Sequence, residues 1–277
     1  MPKIAPSMSC MLAALALLTH VQGAEAAQPA ACPREGTLGT ARVLPVDAAE
    51  YPRVGLKSFP QTLALQDREV VLTFDDGPNP PTTSKVLAAL AQECVKATFF
   101  LIGKFAAAHP DMVKRIAAEG HTIGHHTWSH PSLMRIPAAR ATEEINRGIA
   151  ADEAALHGVS TTTPSTPFFR FPGFESTPQT LELLQSRGIV VFGADLWASD
   201  WNEMTPDQEF KLLTTRLETA RKGIILLHDT KARTAAMLPR FLRYLRERGY
   251  RIVQVVPAAP AAAGRVDSGL AGKEQHD

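Results

Sequence analysis

Two adjacent carboxylates open the first of four polar clusters that could carry chemistry. They lie in Thr73-Phe74-Asp75-Asp76-Gly77-Pro78, directly after the apolar run of residues 70–74. Because adjacent side chains diverge, one carboxylate could ligate a metal ion while the other acts as a base. The alternative is a solvated turn at a strand end, since Asp-Gly is a common turn dipeptide.

The second cluster is the stretch HTIGHHTWSHP, which holds four of the nine histidines of the chain. His126 and His130 are four residues apart, so on a helix or helical turn they would share a face and could reach one ion. His125 would point away from them, and we favour a role other than ligand for it. His121 is expected at the start of a strand, with a role in the fold. Two histidines and one carboxylate form an open site for a first-row metal.

The third cluster contains Asp200 and the fourth contains His228, and Arg170 stands apart from these four clusters. Asp200 precedes Trp201, and His228 closes the apolar run of residues 223–227. A neighbouring carboxylate would raise the pKa of His228 and fix its tautomer, although such a pair can also be structural. Arg170 follows another apolar run and is expected either to pair with a carboxylate or to lie at the rim as a free cation.

Alternating apolar runs and amphipathic stretches predict the elements that position these clusters. Pro at helix starts and Gly at helix ends mark the boundaries. The alternation favours one parallel α/β domain, with a barrel or incomplete barrel preferred over a doubly wound sheet. In such folds, reactive groups gather at the carboxyl ends of the strands. The predicted strands are 41–46, 70–74, 97–102, 168–171, 189–194, 223–228 and 251–255, and the predicted helices are 82–94, 110–118, 138–156, 178–187, 206–222 and 234–248.

The start of the chain predicts export. Lys3 precedes an apolar run at residues 8–21 that is short for a bilayer span, and an A-x-A-like cleavage site follows it. We therefore expect a signal peptide at residues 1–26 and a periplasmic or extracellular protein, with an uncleaved membrane anchor as the alternative. After cleavage no stable membrane insertion is expected.

Composition limits the partners and the domain organisation. The chain of 277 residues is 45% hydrophobic and has a formal net charge of +1, which offers no general attraction to nucleic acid. Residues 27–68 are predicted as an N-terminal extension, 69–256 as the domain of alternating strands and helices, and 257–277 as a disordered tail. Cys32 and Cys94 could form one disulfide or stay free.

Five motifs in order, TFDDG, HTWSH, R-x-P, D-W and L-x-H, resemble those of the polysaccharide deacetylases, the NodB-homology domain of carbohydrate esterase family four. The resemblance covers about residues 69–256 and implies a distorted, incomplete (β/α) barrel with parallel strands. It implies a catalytic set, a metal-binding set and a substrate-binding set. Asp75 resembles the general base and Arg170 the residue that holds that base, while His228 resembles the catalytic acid and Asp200 the carboxylate that orients it. Asp76, His126 and His130 resemble the metal ligands. Trp201 and Leu226 resemble the residues that line the pocket for the acetyl methyl group.

The implied activity is metal-dependent hydrolysis of N-acetyl groups in an amino-sugar polysaccharide or oligosaccharide such as peptidoglycan or chitin. The implied cofactor is one divalent ion, most often zinc, with Co²⁺ or another first-row ion as alternatives, and the implied partner is a glycan containing N-acetylated hexosamine. An O-deacetylase of acetylxylan, an amidase acting on a non-sugar compound and a glycan-binding relative without activity remain alternatives. A non-haem iron oxygenase would use the same ligand types, but its usual antiparallel β fold disagrees with the α/β alternation.

Two positions depart from the family pattern. His125 stands where many relatives have Asn. Gly173 stands where many have an aromatic residue, so we expect a sugar-contacting ring to be missing there, although the Gly173 backbone N–H could still bind the oxyanion. Which glycan is the substrate and which oligomeric state the protein adopts stay open at this stage.

Overall fold

The computed structural model of the chain describes residues 34–259. The expected signal peptide, Cys32 and the tail from residue 260 lie outside these residues. Cys94 is disulfide-bonded. Within the described residues, no helix combines the length and the hydropathy that a membrane crossing requires.

Ten strands in the described part of the chain form one sheet in which every pairing is parallel. Its order is β1-β10-β3-β4-β5-β6-β7-β2, with β9 also pairing β3 and β8 pairing β9. No pairing joins β8 to β7 or β2 among these strands, so the barrel is open at that point, and the predicted fold class is confirmed. The strands are β1 (Thr40–Val46), β2 (Arg53–Val54), β3 (Glu69–Asp75), β4 (Thr98–Leu101), β5 (Thr122–His125), β6 (Phe168–Phe169), β7 (Val190–Phe192), β8 (Leu196–Trp197), β9 (Gly223–His228) and β10 (Arg251–Pro257).

Seven helices connect or flank these strands in the described residues. Proline occupies the first turn of four of them, α1, α3, α5 and α6, where its missing N–H costs no hydrogen bond. The short helix α2 and the two-residue strands β2 and β8 were not predicted, because segments of that length carry too little periodicity to be recognised. The helices are α1 (Pro80–Gln92), α2 (Gly103–Ala108), α3 (Pro110–Ala118), α4 (Ala138–His157), α5 (Pro178–Ser186), α6 (Pro206–Ala220) and α7 (Ala232–Glu247).

The described part of the segment that the sequence predicts as an extension, residues 34–68, contributes two of the strands. β1 lies close to the predicted strand 41–46 and pairs with β10, and β2 pairs with β7. Both ends of the described chain therefore meet in one sheet, where β1 and β10 run side by side.

Alternation along the central strands decides which side chains point into the barrel. In β3, Leu72 and Phe74 join the core cluster that contains residues of α1 and α7, whereas Val71 joins the cluster inside the barrel. Successive side chains of a strand point to opposite faces, so Thr73 and Asp75 share the inner face with Val71. The same alternation places the last residue of β9 on the inner face, since Ile224 lies inside and Ile225 outside.

Candidate functional site

The strand register brings the first and fourth sequence clusters together. Asp75 and His228 end neighbouring parallel strands and are register partners, as are Thr73 and Leu226. Both chemical side chains therefore emerge from the inner face at the same edge of the sheet. This is the edge at which parallel α/β folds commonly build their sites.

Three side chains converge as a candidate metal centre. One ligand atom each from Asp76, His126 and His130 lies within 4.8 Å of the others. The His126 Nε2 and His130 Nε2 atoms are 3.6 Å and 3.3 Å from Asp76 Oδ1. That oxygen is buried and has no hydrogen-bond partner in the structure. A buried carboxylate oxygen facing two imidazole nitrogens is a donor set that suits a first-row divalent ion.

The two histidines reach this position through a loop, and the helical turn suggested by their spacing is not formed. β5 ends at His125, and the chain then bends, with Thr127 and His130 in the left-handed region at φ values of 66° and 63°. The His130 amide donates to Thr127 Oγ1 at 3.0 Å, which holds the bend. His126 donates its Nδ1–H to the Arg170 carbonyl at 2.7 Å, so its Nε2 keeps a lone pair for a metal. Burial lowers the pKa of His126 to about 3, which keeps that imidazole neutral.

Arg170 is fully buried and holds Asp75. Its Nη1 donates to Asp75 Oδ1 at 2.7 Å and to Thr73 Oγ1 at 2.8 Å, while Nη2 donates to the Gly193 carbonyl at 2.8 Å. Burial raises the pKa of Asp75, and the Arg170 charge opposes that rise. Arg170 therefore belongs to the site as the partner of a carboxylate, and the rim position considered from sequence does not apply.

Asp200 and His228 form a second buried pair. Asp200 Oδ1 accepts from His228 Nδ1 at 2.7 Å, and Oδ2 accepts from the His228 backbone N–H at 2.7 Å. Burial disfavours the imidazolium, but the hydrogen bond and charge of Asp200 outweigh it and raise the pKa of His228 to about 9. With Nδ1 engaged by Asp200, His228 has Nε2 left, 3.9 Å from Asp76 Oδ2.

An aromatic-walled cavity of about 460 Å³ is lined by the three candidate metal ligands together with Asp75 and His228. All three residues predicted to contact substrate, Gly173, Trp201 and Leu226, line it. Sequence reasoning missed Phe171, Phe174 and Trp197, which line it as well.

The expectation that a ring is missing near Gly173 needs a correction. Gly173 and Phe174 both adopt positive φ, 59° and 60°, in a 3-10 turn at Pro172–Phe174. This turn directs the Phe174 ring into the cavity, where it stacks on Trp197 with ring centroids 5.9 Å apart. The next residue along the chain thus supplies an aromatic ring to the cavity wall.

The other histidines of the second cluster lie away from the three candidate ligands. His121 Nδ1 accepts the Ala97 N–H at 3.1 Å, and its ring packs edge-on against Phe99. His125 is buried and pairs through Nδ1 with Asp152 of α4 at 2.8 Å. His121 serves the fold, and His125 ties the end of β5 to α4.

A buried carboxylate behind the site was also missed, although it directly follows His228 in the sequence. Asp229 accepts a hydrogen bond from Thr83 Oγ1 at 2.5 Å and is fully buried. Its Oδ2 lies 2.3 Å from the point where a Cβ on Gly77 would stand. Any side chain at that position would force Asp229 to shift, which explains the Gly that follows the two aspartates.

Several known proteins are similar to this chain in sequence or fold. The family model described as Polysaccharide deacetylase matches residues 63–192. The chain is 35% identical over 164 residues to a chitooligosaccharide deacetylase of Rhizobium leguminosarum bv. trifolii, covering 59% of this chain and 72% of the relative. It is 32% identical over 193 residues to the peptidoglycan-N-acetylglucosamine deacetylase PgdA of Listeria monocytogenes, covering 69% of this chain and 39% of that protein.

A solved structure shows the same architecture. The peptidoglycan deacetylase Bd3279 of Bdellovibrio bacteriovorus superposes with a TM-score of 0.71 and 29% sequence identity, covering 85% of this chain and 64% of that one. The sequence relatives and the shared fold lead to one conclusion. The chain belongs to the polysaccharide deacetylase family.

Proposed function

We propose that this protein is a metal-dependent hydrolase that removes N-acetyl groups from a glycan containing N-acetylated hexosamine, releasing acetate and a free amine. The observation that carries the proposal is that three candidate metal ligands line one cavity with Asp75 and His228, each of which is held from behind by a buried partner, Arg170 and Asp200. The names of the related proteins, which act on chitooligosaccharides and peptidoglycan, support the N-acetyl substrate class.

Asp76, His126 and His130 would hold one divalent ion, for which zinc is the preferred candidate because two imidazoles and one carboxylate suit it. The partnerless Oδ1 of Asp76 and the neutral His126 fit that role. A divalent ion at these ligands supplies Lewis-acid chemistry, since it polarises a carbonyl oxygen and makes water more acidic.

Asp75 is proposed as the general base. Arg170 occupies its Oδ1, so Oδ2 is the oxygen that takes a proton from the attacking water. Arg170 is itself fixed by Thr73 and by the carbonyls of Phe192 and Gly193, and these contacts fix the direction of the Asp75 carboxylate. A base held in one orientation loses little entropy when the reaction begins.

His228 is proposed as the general acid. With a pKa of about 9 it carries both ring protons at neutral pH, and Asp200 accepts the one on Nδ1. The Nε2 proton passes to the leaving nitrogen as the carbon–nitrogen bond of the acetamide breaks. The water supplies the hydroxyl of acetic acid, and its second proton goes to Asp75, so the atoms balance.

Trp201 and Leu226 are proposed to contact the acetyl group and the adjoining sugar, together with Phe174 and Trp197. These side chains give the cavity an apolar wall, and a sugar ring stacks readily on such a surface. The Gly173 backbone N–H remains a proposed donor to the oxyanion. Export to the periplasm or the cell exterior is proposed because glycans such as peptidoglycan are found there.

The proposal is tested by measuring acetate release from chitooligosaccharides, peptidoglycan and acetylxylan by chromatography. We expect release from at least one of the first two. Release from acetylxylan alone would replace the proposal with an O-deacetylase, and no release from any N-acetylated glycan would refute it.

Two variants separate the proposed roles. Asp75→Asn should abolish acetate release while the protein still binds about one metal ion per chain, because the ligands are unchanged. His126→Ala should lose both metal and activity. Undiminished turnover in Asp75→Asn would overturn the assignment of the base.

A further inference from the structure

The hydroxyl of Thr234, near the start of α7, lies between two buried carboxylates. Its Oγ1 is 2.8 Å from Asp200 Oδ2 and 2.9 Å from Glu209 Oε1. All three residues have no exposed surface. Glu209 belongs to α6 and does not line the cavity, so the proposed mechanism leaves it without a role.

The single hydroxyl hydrogen of Thr234 is compatible with only one of the two carboxylates being ionised. A threonine hydroxyl has one hydrogen, which can be donated to only one of the two oxygens. If both carboxylates were charged, the second contact would place two lone pairs against each other below 3 Å in a buried site, with no proton between them. One of the two carboxyl groups must therefore carry a proton and donate it to Thr234 Oγ1.

Other contacts decide which group that is. Asp200 already accepts two N–H groups of His228, on Oδ1 and Oδ2, which favours its charged form. Glu209 Oε2 is buried with no partner, and burial followed by the charge of Asp200 raises the pKa of Glu209 to about 7. The other charged groups that face Glu209 are Arg233 and His228, whose smaller effects oppose that rise. The proton therefore lies on Glu209 Oε1.

We propose that Glu209 is a positioning residue, a neutral carboxylic acid that donates to Thr234 so that the Thr234 hydroxyl donates to Asp200 and holds it against His228. The proposal rests on the proposed function, in which His228 is the acid. The chain of donors runs from Glu209 Oε1–H to Thr234 Oγ1–H to Asp200 Oδ2. It orients Asp200 without adding a second negative charge beside it.

The activity test compares Glu209→Gln with Glu209→Ala. The Gln amide N–H takes the place of the carboxyl O–H, so Glu209→Gln should keep kcat within about twofold of the parent enzyme. Glu209→Ala removes the donor and should lower kcat about tenfold or more with little change in KM, because Asp200 and His228 act on the leaving group. Equal damage in both variants, or no damage in either, would overturn the proposal.

Two measurements test the protonation of Glu209 without any enzyme assay. They therefore remain valid tests even if the protein does not release acetate from any glycan. The first is infrared difference spectroscopy of the parent protein against Glu209→Gln at pH 6. We expect a carbonyl band of a protonated carboxylic acid that Glu209→Gln lacks. Absence of this band from the difference spectrum would show an ionised Glu209 and refute the proposal.

The second measurement is urea unfolding of the same two proteins against pH. The pKa of folded Glu209 is raised above its unfolded value of 4.5, so the stabilisation is present below pH 4.5 and is lost as the pH rises to about 7. Glu209→Gln lacks this titrating group. The unfolding free energy of Glu209→Gln minus that of the parent protein should therefore increase as the pH rises from 4.5 to about 7. A constant or falling difference would contradict a neutral Glu209.

Discussion

The pair Asp200–His228 gives a prediction whose size follows from the structure. The hydrogen bond and charge of Asp200, with smaller contributions from the charges of Asp75 and Asp76, outweigh burial and raise the pKa of His228 from 6.5 to about 9. Asp200→Asn keeps the shape of the side chain but removes its charge. The pKa of His228 should then fall to 6.5 or below, because burial would act with much less opposition.

A rise of the His228 pKa from 6.5 to about 9 corresponds to roughly 3 kcal/mol of unfolding free energy, at about 1.4 kcal/mol for a tenfold change in an equilibrium constant. Because the folded pKa is raised, this stabilisation is fully present below pH 6.5 and is lost as the pH rises through 9. The parent protein should therefore lose up to about 3 kcal/mol across that window from His228 alone. Asp200→Asn should lose much less, although its stability at pH 6 is lower.

The assay is urea unfolding at a series of pH values from 6 to 10 with a chelator present, so that no metal competes for the nearby carboxylates. His228→Gln is the matched control, since it removes the titrating group and should flatten the same part of the curve. NMR titration of the His228 ring reports its pKa directly in the parent protein and in Asp200→Asn. An equal loss of stability between pH 6.5 and 9 in all three proteins would refute the reasoning.

Three further substitutions test the supports around the site. Arg170→Met leaves Asp75 buried without its ion-pair partner, so the unfolding free energy at pH 7 should fall by about 3–5 kcal/mol in urea titrations; an unchanged midpoint would contradict the pairing. Gly77→Ala places a Cβ 2.3 Å from Asp229 Oδ2, and calorimetry should show about 1–3 kcal/mol of destabilisation, whereas normal stability would mean that this contact yields freely. Phe174→Ala removes a ring from the cavity wall and should raise KM for the glycan about 2- to 10-fold with metal content unchanged; an unaltered KM would show that this ring does not touch substrate.

Stability and proposed catalysis depend on the same buried contacts at this edge of the sheet. Arg170, Asp200 and Glu209 are charged or ionisable residues without exposed surface, and each is retained by specific partners. Burying such groups costs free energy that apolar side chains would not cost. Their arrangement is consistent with a site in which orientation of the reacting groups matters more than stability.

Much of the framework could be predicted from local patterns. Strand β9 and helix α3 have the predicted boundaries, Gly223–His228 and Pro110–Ala118, because apolar runs and the Pro and Gly that flank helices are encoded within a few residues. The ordered motifs identified the family and named the polar residues that line the cavity, although they missed part of its aromatic wall. The sequence also indicated that these residues follow strands, and parallel strands bring such residues to a common edge.

What depended on tertiary structure was how distant segments approach one another. The helical spacing of His126 and His130 suggested a turn that is not formed, because two positive-φ residues and a hydrogen bond to Thr127 shape that loop instead. Phe174 reaches the cavity through the turn beside Gly173, and no periodic pattern marks it. Glu209 and Thr234 come from different helices and meet Asp200 only when the sheet and helices pack.

The physical reason for this difference is the distance along the chain over which each kind of interaction acts. Propensity, periodicity and capping act over a few residues, so the sequence by itself determined the order of the elements and which chemical groups follow each strand. Hydrogen bonds between Asp200, Thr234 and Glu209, or between Arg170 and Asp75, join residues up to 95 positions apart. Only the folded sheet sets those distances, and with them the charge and orientation that each group has in the site.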